Sequence, residues 1–226
     1  MNVTYYGHAC FSVRVKKHTL LFDPFISGNP LAKNIDVESV PADFILVSHG
    51  HDDHVGDAVA IAKRTNALVI AGFEVANWLE QKGAPRVHAL NHGGGYNFDF
   101  GRAKLVNAVH SSTMPDGTHG GNAGGFVVET AEGSFYYSGD TALTYDMKLI
   151  GESTKLKFAA LCIGDNFTMG PDDAVKAAEF VRCNEILGLH YDTFPPIKIN
   201  HAKVWEKFKM EAMKLHLLQV GETREF

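Results

Sequence analysis

The stretch Asp43-Phe44-Ile45-Leu46-Val47-Ser48-His49-Gly50-His51-Asp52-Asp53-His54 decides how this 226-residue chain is read. Its first half is a continuous apolar run, as expected of a strand buried on both faces. Its second half packs three histidines and two aspartates into six positions. His49 and His51 are two apart, so in extended backbone they point the same way. Asp53 and His54 fall where the chain turns into a helix read over Gly56–Arg64, and Gly50 removes a side chain where donors crowd. Imidazole and carboxylate in this density suit zinc, iron, nickel or manganese. The cluster reads as two adjacent metal positions rather than one.

Outward from this stretch, strands are expected at Val3–Tyr6, Phe11–Val15 and Thr19–Phe22, with His18 marking a turn, and Ser27–Val40 reads as a loop. Ala67–Ala71 and Val87–Leu90 read as strands around a helix at Phe73–Gln81, with Gly83 as its cap. After Gly93-Gly94-Gly95 the pattern restarts, with strands at Tyr96–Phe100, Ala103–Val109, Gly125–Thr130 and Ser134–Tyr137. A short helix at Tyr145–Gly151 precedes a buried strand, Phe158–Ile163. Pro171 opens a helix to Arg182, with Asp172 and Asp173 near its positive end. A strand at Glu185–Leu189, an amphipathic helix at His201–Lys214 and a last strand at Leu215–Val220 complete the chain. Strand groups flanked by helices in both halves predict helix/sheet/sheet/helix layering rather than one doubly wound parallel sheet.

Composition bounds the partners. The chain is 45% hydrophobic and 21% charged, which is ordinary for a globule. Its length favours one domain spanning 1–226. No apolar run approaches the ~18 residues of a membrane span, and no leader pattern is visible at the N-terminus. The net charge of −5 is poor for a phosphate backbone, so neither a nucleic acid nor a membrane is an expected partner. Cys10, Cys162 and Cys183 form no CxxC and read as core residues in a reducing, cytoplasmic setting. Nothing here decides whether the chain forms a homo-oligomer.

His49, His51, Asp53 and His54 complete the pattern HxHxDH, and with it the chain resembles the metallo-β-lactamase superfamily. The resemblance implies an α/β fold, a four-layer αββα sandwich of two mixed sheets packed face to face with helices outside. It also implies three further ligands after later strands. His110 stands before Ser111-Ser112-Thr113, Asp140 lies in Ser138-Gly139-Asp140-Thr141, and His190 follows Glu185–Leu189. By family position, His49, His51 and His110 would hold one metal, Asp53, His54 and His190 the other, and Asp140 would bridge them. Flavodiiron members of the fold usually carry Glu where this chain has His51, which favours hydrolysis over iron redox chemistry. Tyr6-Gly7-His8-Ala9-Cys10-Phe11 and Leu21-Phe22-Asp23-Pro24-Phe25 are similar to the N-terminal hairpins of a compact metal-dependent hydrolase subgroup that includes ascorbate-phosphate lactonase-like proteins.

The expected activity is therefore a binuclear metal-dependent hydrolase. A hydroxide bridging two divalent ions, zinc first with manganese, nickel or iron as alternatives, would cleave an ester, lactone or phosphodiester bond of a small molecule. Asp53 would orient the attacking group or shuttle a proton. In the resembling subgroup a histidine at the place of His8 lies by the metals, so His8 either orients substrate or a leaving group or is a structural hydrogen-bonding histidine; His119, in the glycine-rich loop Pro115–Asn122, either contacts substrate or is an exposed loop histidine. Asp23 either orients a ligand histidine or caps the turn before Pro24. The competing readings are an iron-dependent oxidoreductase on the same fold and a non-catalytic metal-binding scaffold.

Overall fold

Alternating apolar residues build two sheets whose inner faces meet. In the computed structural model, which describes residues 1–226, the first sheet contains β1 (Asn2–Gly7), β2 (Cys10–Val15), β3 (His18–Phe22), β4 (Phe44–Val47), β5 (Leu68–Gly72), β6 (Val87–Leu90) and β14 (Thr223–Glu225). Their order is β14-β1-β2-β3-β4-β5-β6. The second sheet contains β7 (Gly95–Phe98), β8 (Gly101–Asn107), β9 (Gly124–Thr130), β10 (Gly133–Tyr137), β11 (Leu156–Cys162), β12 (Glu185–Leu189) and β13 (Lys214–His216). Its order is β13-β12-β11-β10-β9-β8-β7. Both sheets are mixed. β1 to β3 pair antiparallel and β3 to β6 parallel, while β7 to β10 pair antiparallel and β10 to β13 parallel.

Three apolar clusters separate four layers. The central one, 24 residues, joins Val3, Phe11, Phe22, Leu46 and Ile70 of the first sheet to Leu105, Phe126, Phe135, Phe158 and Leu189 of the second. A second cluster of 21 residues lies between the first sheet and the helices α2 (Ala58–Thr65) and α3 (Phe73–Gln81). A third, also of 21, lies between the second sheet and α4 (Asp146–Ser153), α5 (Pro171–Phe180) and α6 (His201–Met210). This is the αββα sandwich. It explains the unbroken apolar run of β4: Phe44 and Leu46 face the central cluster, whereas Ile45 and Val47 face the helices.

Some boundaries differ from expectation for local reasons. His18 starts β3, and the turn falls on Lys16 and Lys17, with Lys16 at φ 51°. The helix expected from Gly56 to Arg64 is broken into α1 (Asp52–Val55) and α2. Asp57 sits between them with its carboxylate accepting the Ile26 and Ser27 amides, which pins the segment after β3. β8 stops at Asn107, so His110 stands in a loop rather than at a strand end. The last helix ends at Met210, just before Ala212 at φ 55°. The strand expected over Leu215–Val220 is only Lys214–His216, and β14 beyond it pairs with β1.

The central layer depends on Phe22, which has no exposed surface and stacks on Phe11 at 4.5 Å between ring centres. Phe22→Ala is expected to lower stability by about 3–5 kcal/mol. Leu149→Ala, at a side chain 64% exposed, is expected to change it by less than about 0.5 kcal/mol. Urea denaturation of both variants measures the difference.

Candidate metal centre

Six chain segments deliver polar side chains to one region. His8 sits in the hairpin between β1 and β2, and Asp23 directly follows β3. Ser48 to His54 run from the end of β4 into α1. His110 lies in the loop after β8, while Asp140 and His190 follow β10 and β12. Chain leaving the carboxyl ends of strands is where α/β folds place sites. Two glycines make the approach close enough. A Cβ on Gly50 would run into Met114 Sδ, while the Gly50 amide donates to Ser112 Oγ at 3.0 Å. Gly139, at φ 59°, lies where a Cβ would strike the Gly124 carbonyl oxygen, and it sets the turn that presents Asp140.

The donor atoms fall into two groups. Those of His49, His51 and His110 lie within 4.8 Å of one another, as do those of His8, Asp53, His54 and His190. In the first group His49 Nε2 is 2.9 Å from His51 Nδ1, and the His110 ring centre is 5.1 Å from each of the other two rings. Asp140 stands between the groups. Its Oδ2 is 2.9 Å from His190 Nε2, 3.3 Å from His54 Nε2 and 3.7 Å from His110 Nε2. His54 Nε2 and Asp140 Oδ1 are nonetheless buried without a hydrogen-bond partner. Buried polar atoms are rarely left so; converging donors that do not satisfy one another fit a shared cation.

Protonation fits the same reading. Burial pushes the His49 pKa well below its usual value and lowers those of His51 and His110, leaving neutral rings of the kind metals bind. Burial pushes His8 down to about 4. At His54 burial also opposes charge, but Asp140, Asp53 and Asp23 outweigh it and raise its pKa well above the usual range. Carboxylates that stabilise a proton there would equally stabilise a metal cation. For Asp140, burial would raise the pKa, but His190 and His54 overcome it and hold the group well below the carboxylate range. Asp53 is lowered too, with His54 and His8 overcoming burial.

Beneath these residues lies Asp23, which has no exposed surface. Its Oδ1 accepts the Ser48 amide at 2.7 Å. Its Oδ2 accepts from His54 Nδ1 and Tyr137 Oη, each at 2.6 Å, and from Ser48 Oγ. Since Ser48 Oγ donates to Asp23, it accepts from His49 Nδ1 at 2.9 Å. Both His49 and His54 thus carry a hydrogen on Nδ1, which leaves Nε2 as the ring nitrogen turned toward the other donors, the orientation that outer partners impose on ligating histidines. Of the two readings of Asp23, the hydrogen bond to His54 is the one the structure shows.

His8 has no exposed surface and touches Asp53. His119 is not brought into either group. It is exposed on its loop, its Nδ1 accepts the Gly121 amide at 3.1 Å, and it borders a small cleft with Glu74, Asn91, His92 and Asn122. Other site residues had weaker signals. Ser48 and Ser111 adjoin histidines in the sequence, and Ser111 Oγ is 3.2 Å from His51 Nε2. Thr193 lies three residues after His190, and Tyr137 carries no local signal. A cleft of about 600 Å³ lies on the outer face of the second sheet against α4 and includes none of these histidines except His92, which lies far along the chain from the motif. Donor chemistry, not cavity volume, locates the site.

A family model described as a beta-lactamase superfamily domain matches residues 2–190, from β1 to the last of the converging histidines. A metal-dependent hydrolase of the UPF0173 group from Flavobacterium johnsoniae is 50% identical over 225 residues, covering 100% of both chains. The chain belongs to the UPF0173 metal-dependent hydrolases of the metallo-β-lactamase superfamily. A further member from Bacillus subtilis is 48% identical over 230 residues, again covering 100% of each. Among solved structures, Igni18, described as a novel metallo hydrolase from Ignicoccus hospitalis, is 32% identical with a TM-score of 0.89, covering 100% of this chain and 98% of its own. The UPF0173 chain is thus a metal-dependent hydrolase with a His/Asp cluster capable of binding metal, and none of its helices is long and apolar enough to cross a membrane.

Replacing Asp23 tests the layer beneath the site. Asp23→Ala is expected to cost about 3–5 kcal/mol in stability, because it strips the buried partner of His54. It is also expected to weaken metal binding about 10–100-fold. Tyr137→Phe, which removes one of the hydrogen bonds to the same carboxylate, is expected to cost about 1 kcal/mol. Thermal denaturation and metal titration of the two variants check both values.

Proposed function

We propose that the chain is a hydrolase that holds two divalent metal ions, zinc first, and cleaves an ester, lactone or phosphodiester bond of a small molecule. The observation that carries this reading is the position of Asp140: one carboxylate oxygen lies within 3.7 Å of His110, from the first group of donors, and of both His54 and His190, from the second. In this reading His49, His51 and His110 would hold one ion, Asp53, His54 and His190 would hold the other, and Asp140 would stand between them.

The chemistry that bound divalent ions would supply there is a water of pKa about 7 and polarisation of the carbonyl or phosphoryl oxygen under attack. The chain's own residues do the rest. Neutral His49, oriented through Ser48, keeps its lone pair aimed inward. Asp53 is the member of its group with an exposed portion, 27% of its side chain, so it meets incoming water and substrate. There its carboxylate accepts a hydrogen bond from the attacking water and orients it. His119, exposed on the loop that follows His110, contacts substrate from the rim.

The test is a turnover screen of the zinc-loaded protein against simple esters, lactones and phosphodiesters. Turnover is expected on one class, and Asp140→Ala and His110→Ala should each reduce it beyond the ~10–100-fold typical of outer partners. Wild-type turnover in either variant contradicts the proposal. Iron in the purified protein with no hydrolysis would favour the iron-dependent oxidoreductase. Tight metal binding with no turnover on any class would favour the scaffold.

A further inference from the structure

The β1–β2 hairpin inserts one ring among the donors of the second group. We propose that His8 is the positioning residue of the Asp53/His54/His190 position, holding Asp53 through its ring and His190 through its backbone, and acting selectively on that position. The assignment rests on the two-ion reading above.

His8 Nε2 lies 3.0 Å from Asp53 Oδ2. A carboxylate only accepts hydrogen bonds, so the ring carries its hydrogen on Nε2 and donates. On its far side Nδ1 lies 2.9 Å from Thr193 Oγ1, closer than the Tyr191 carbonyl at 3.3 Å that competes for the same hydroxyl hydrogen; donation to the nearer Nδ1 matches that tautomer. The backbone completes the grip, with the His190 amide donating to the His8 carbonyl at 2.9 Å and Tyr5 Oη donating to the same oxygen at 3.3 Å. The His8 ring packs 4.1 Å from the His190 ring and is edged by Phe25 and Phe194 at 5.7 and 5.4 Å between ring centres.

Two consequences follow from this geometry. First, Asp53 makes no side-chain hydrogen bond other than the one from His8. With Oδ2 so engaged, Oδ1 is the oxygen turned toward His54 Nε2, at 3.9 Å. Without His8, that partly exposed carboxylate would rotate toward water. Second, the other group depends on different residues: His49 is held by Ser48 and His51 by Ser111, and neither serine bonds to His8. Loss of His8 should therefore unmake one metal position and spare the other. His8 is held in the left-handed region, at φ 58°, and has no exposed surface. Its burial sets it beneath Asp53, the partly exposed member of the group.

The experiment is a titration of metal-free protein with cobalt(II), followed by calorimetry and by the visible absorption of the bound ion. Wild type is expected to take up two equivalents. His8→Phe keeps an aromatic ring but has no donor; it should retain one equivalent at wild-type affinity and bind the second about 10–100-fold more weakly. His8→Gln, whose amide donates from nearly the same place, should restore the second event to within a few-fold of wild type. If His8→Phe does not fold, Thr193→Val gives the same test with a smaller but equally selective loss. Two equivalents at wild-type affinity in a folded His8→Phe or, failing that, Thr193→Val would overturn the assignment. So would equal weakening of both events, or failure of the glutamine to restore binding where the phenylalanine folds. Wild type binding one equivalent would overturn the two-ion reading itself, and this assignment with it.

Discussion

A carboxylate sealed from solvent must have both oxygens hydrogen-bonded, and Asp23 meets that requirement with partners from both sheets. Its partners are the Ser48 backbone and hydroxyl at the end of β4, His54 on α1, and Tyr137 at the end of β10 in the opposite sheet. An ionised carboxylate in an apolar interior is stable only with such partners. The Tyr137 contact ties the two sheets together at this end, and the Ser48 and His54 contacts place the hydrogens of His49 and His54 on Nδ1. Sheet packing and the orientation of the donors are therefore one constraint. Whatever loosens the central aromatic layer around Phe22 and Tyr137 also moves the histidines.

The donors themselves are divided between the sheets. His49, His51, Asp53 and His54 leave the first sheet, and His110, Asp140 and His190 leave the second. Neither half has a complete set. Asp140 meets His54 across the interface, and His190 bonds through its amide to the His8 carbonyl in the first sheet. The site exists only when the sandwich is closed, so a bound cation would stabilise the folded state by linkage. The unpartnered His54 Nε2 and Asp140 Oδ1 show the converse: the fold tolerates locally unfavourable polar atoms where the donors converge.

Much of this arrangement was legible in the sequence because its signals are local. The run from Asp43 to His54 places dense nitrogen and oxygen donors after a buried strand, and His190 follows another directly. The αββα layering followed from the rhythm of strand groups and helices. What the sequence did not show depends on long-range contact. Tyr137 lies 114 residues from Asp23, and Thr193 lies 185 from His8. No periodicity reports such pairs. β14 is short, fully exposed and without an apolar pattern; backbone pairing with β1 alone defines it. The break between α1 and α2 was hidden for a related reason, since Asp57, which precedes α2, is held by the distant amides of Ile26 and Ser27. His119 is the case of a loop residue whose surroundings the sequence does not fix. A glycine-rich loop after His110 suggests proximity, yet the side chain turns to its own loop.

The central claim is that Asp140 stands between two metal positions. It is tested most directly by a crystal structure of the zinc-loaded protein, with anomalous diffraction recorded on both sides of the zinc edge. The expected result is two peaks about 3.5–4 Å apart, the spacing of paired catalytic ions. One should lie against His49, His51 and His110, the other against Asp53, His54 and His190, with the Asp140 carboxylate touching both. A single peak at full occupancy, or two peaks that Asp140 does not join, would contradict the claim.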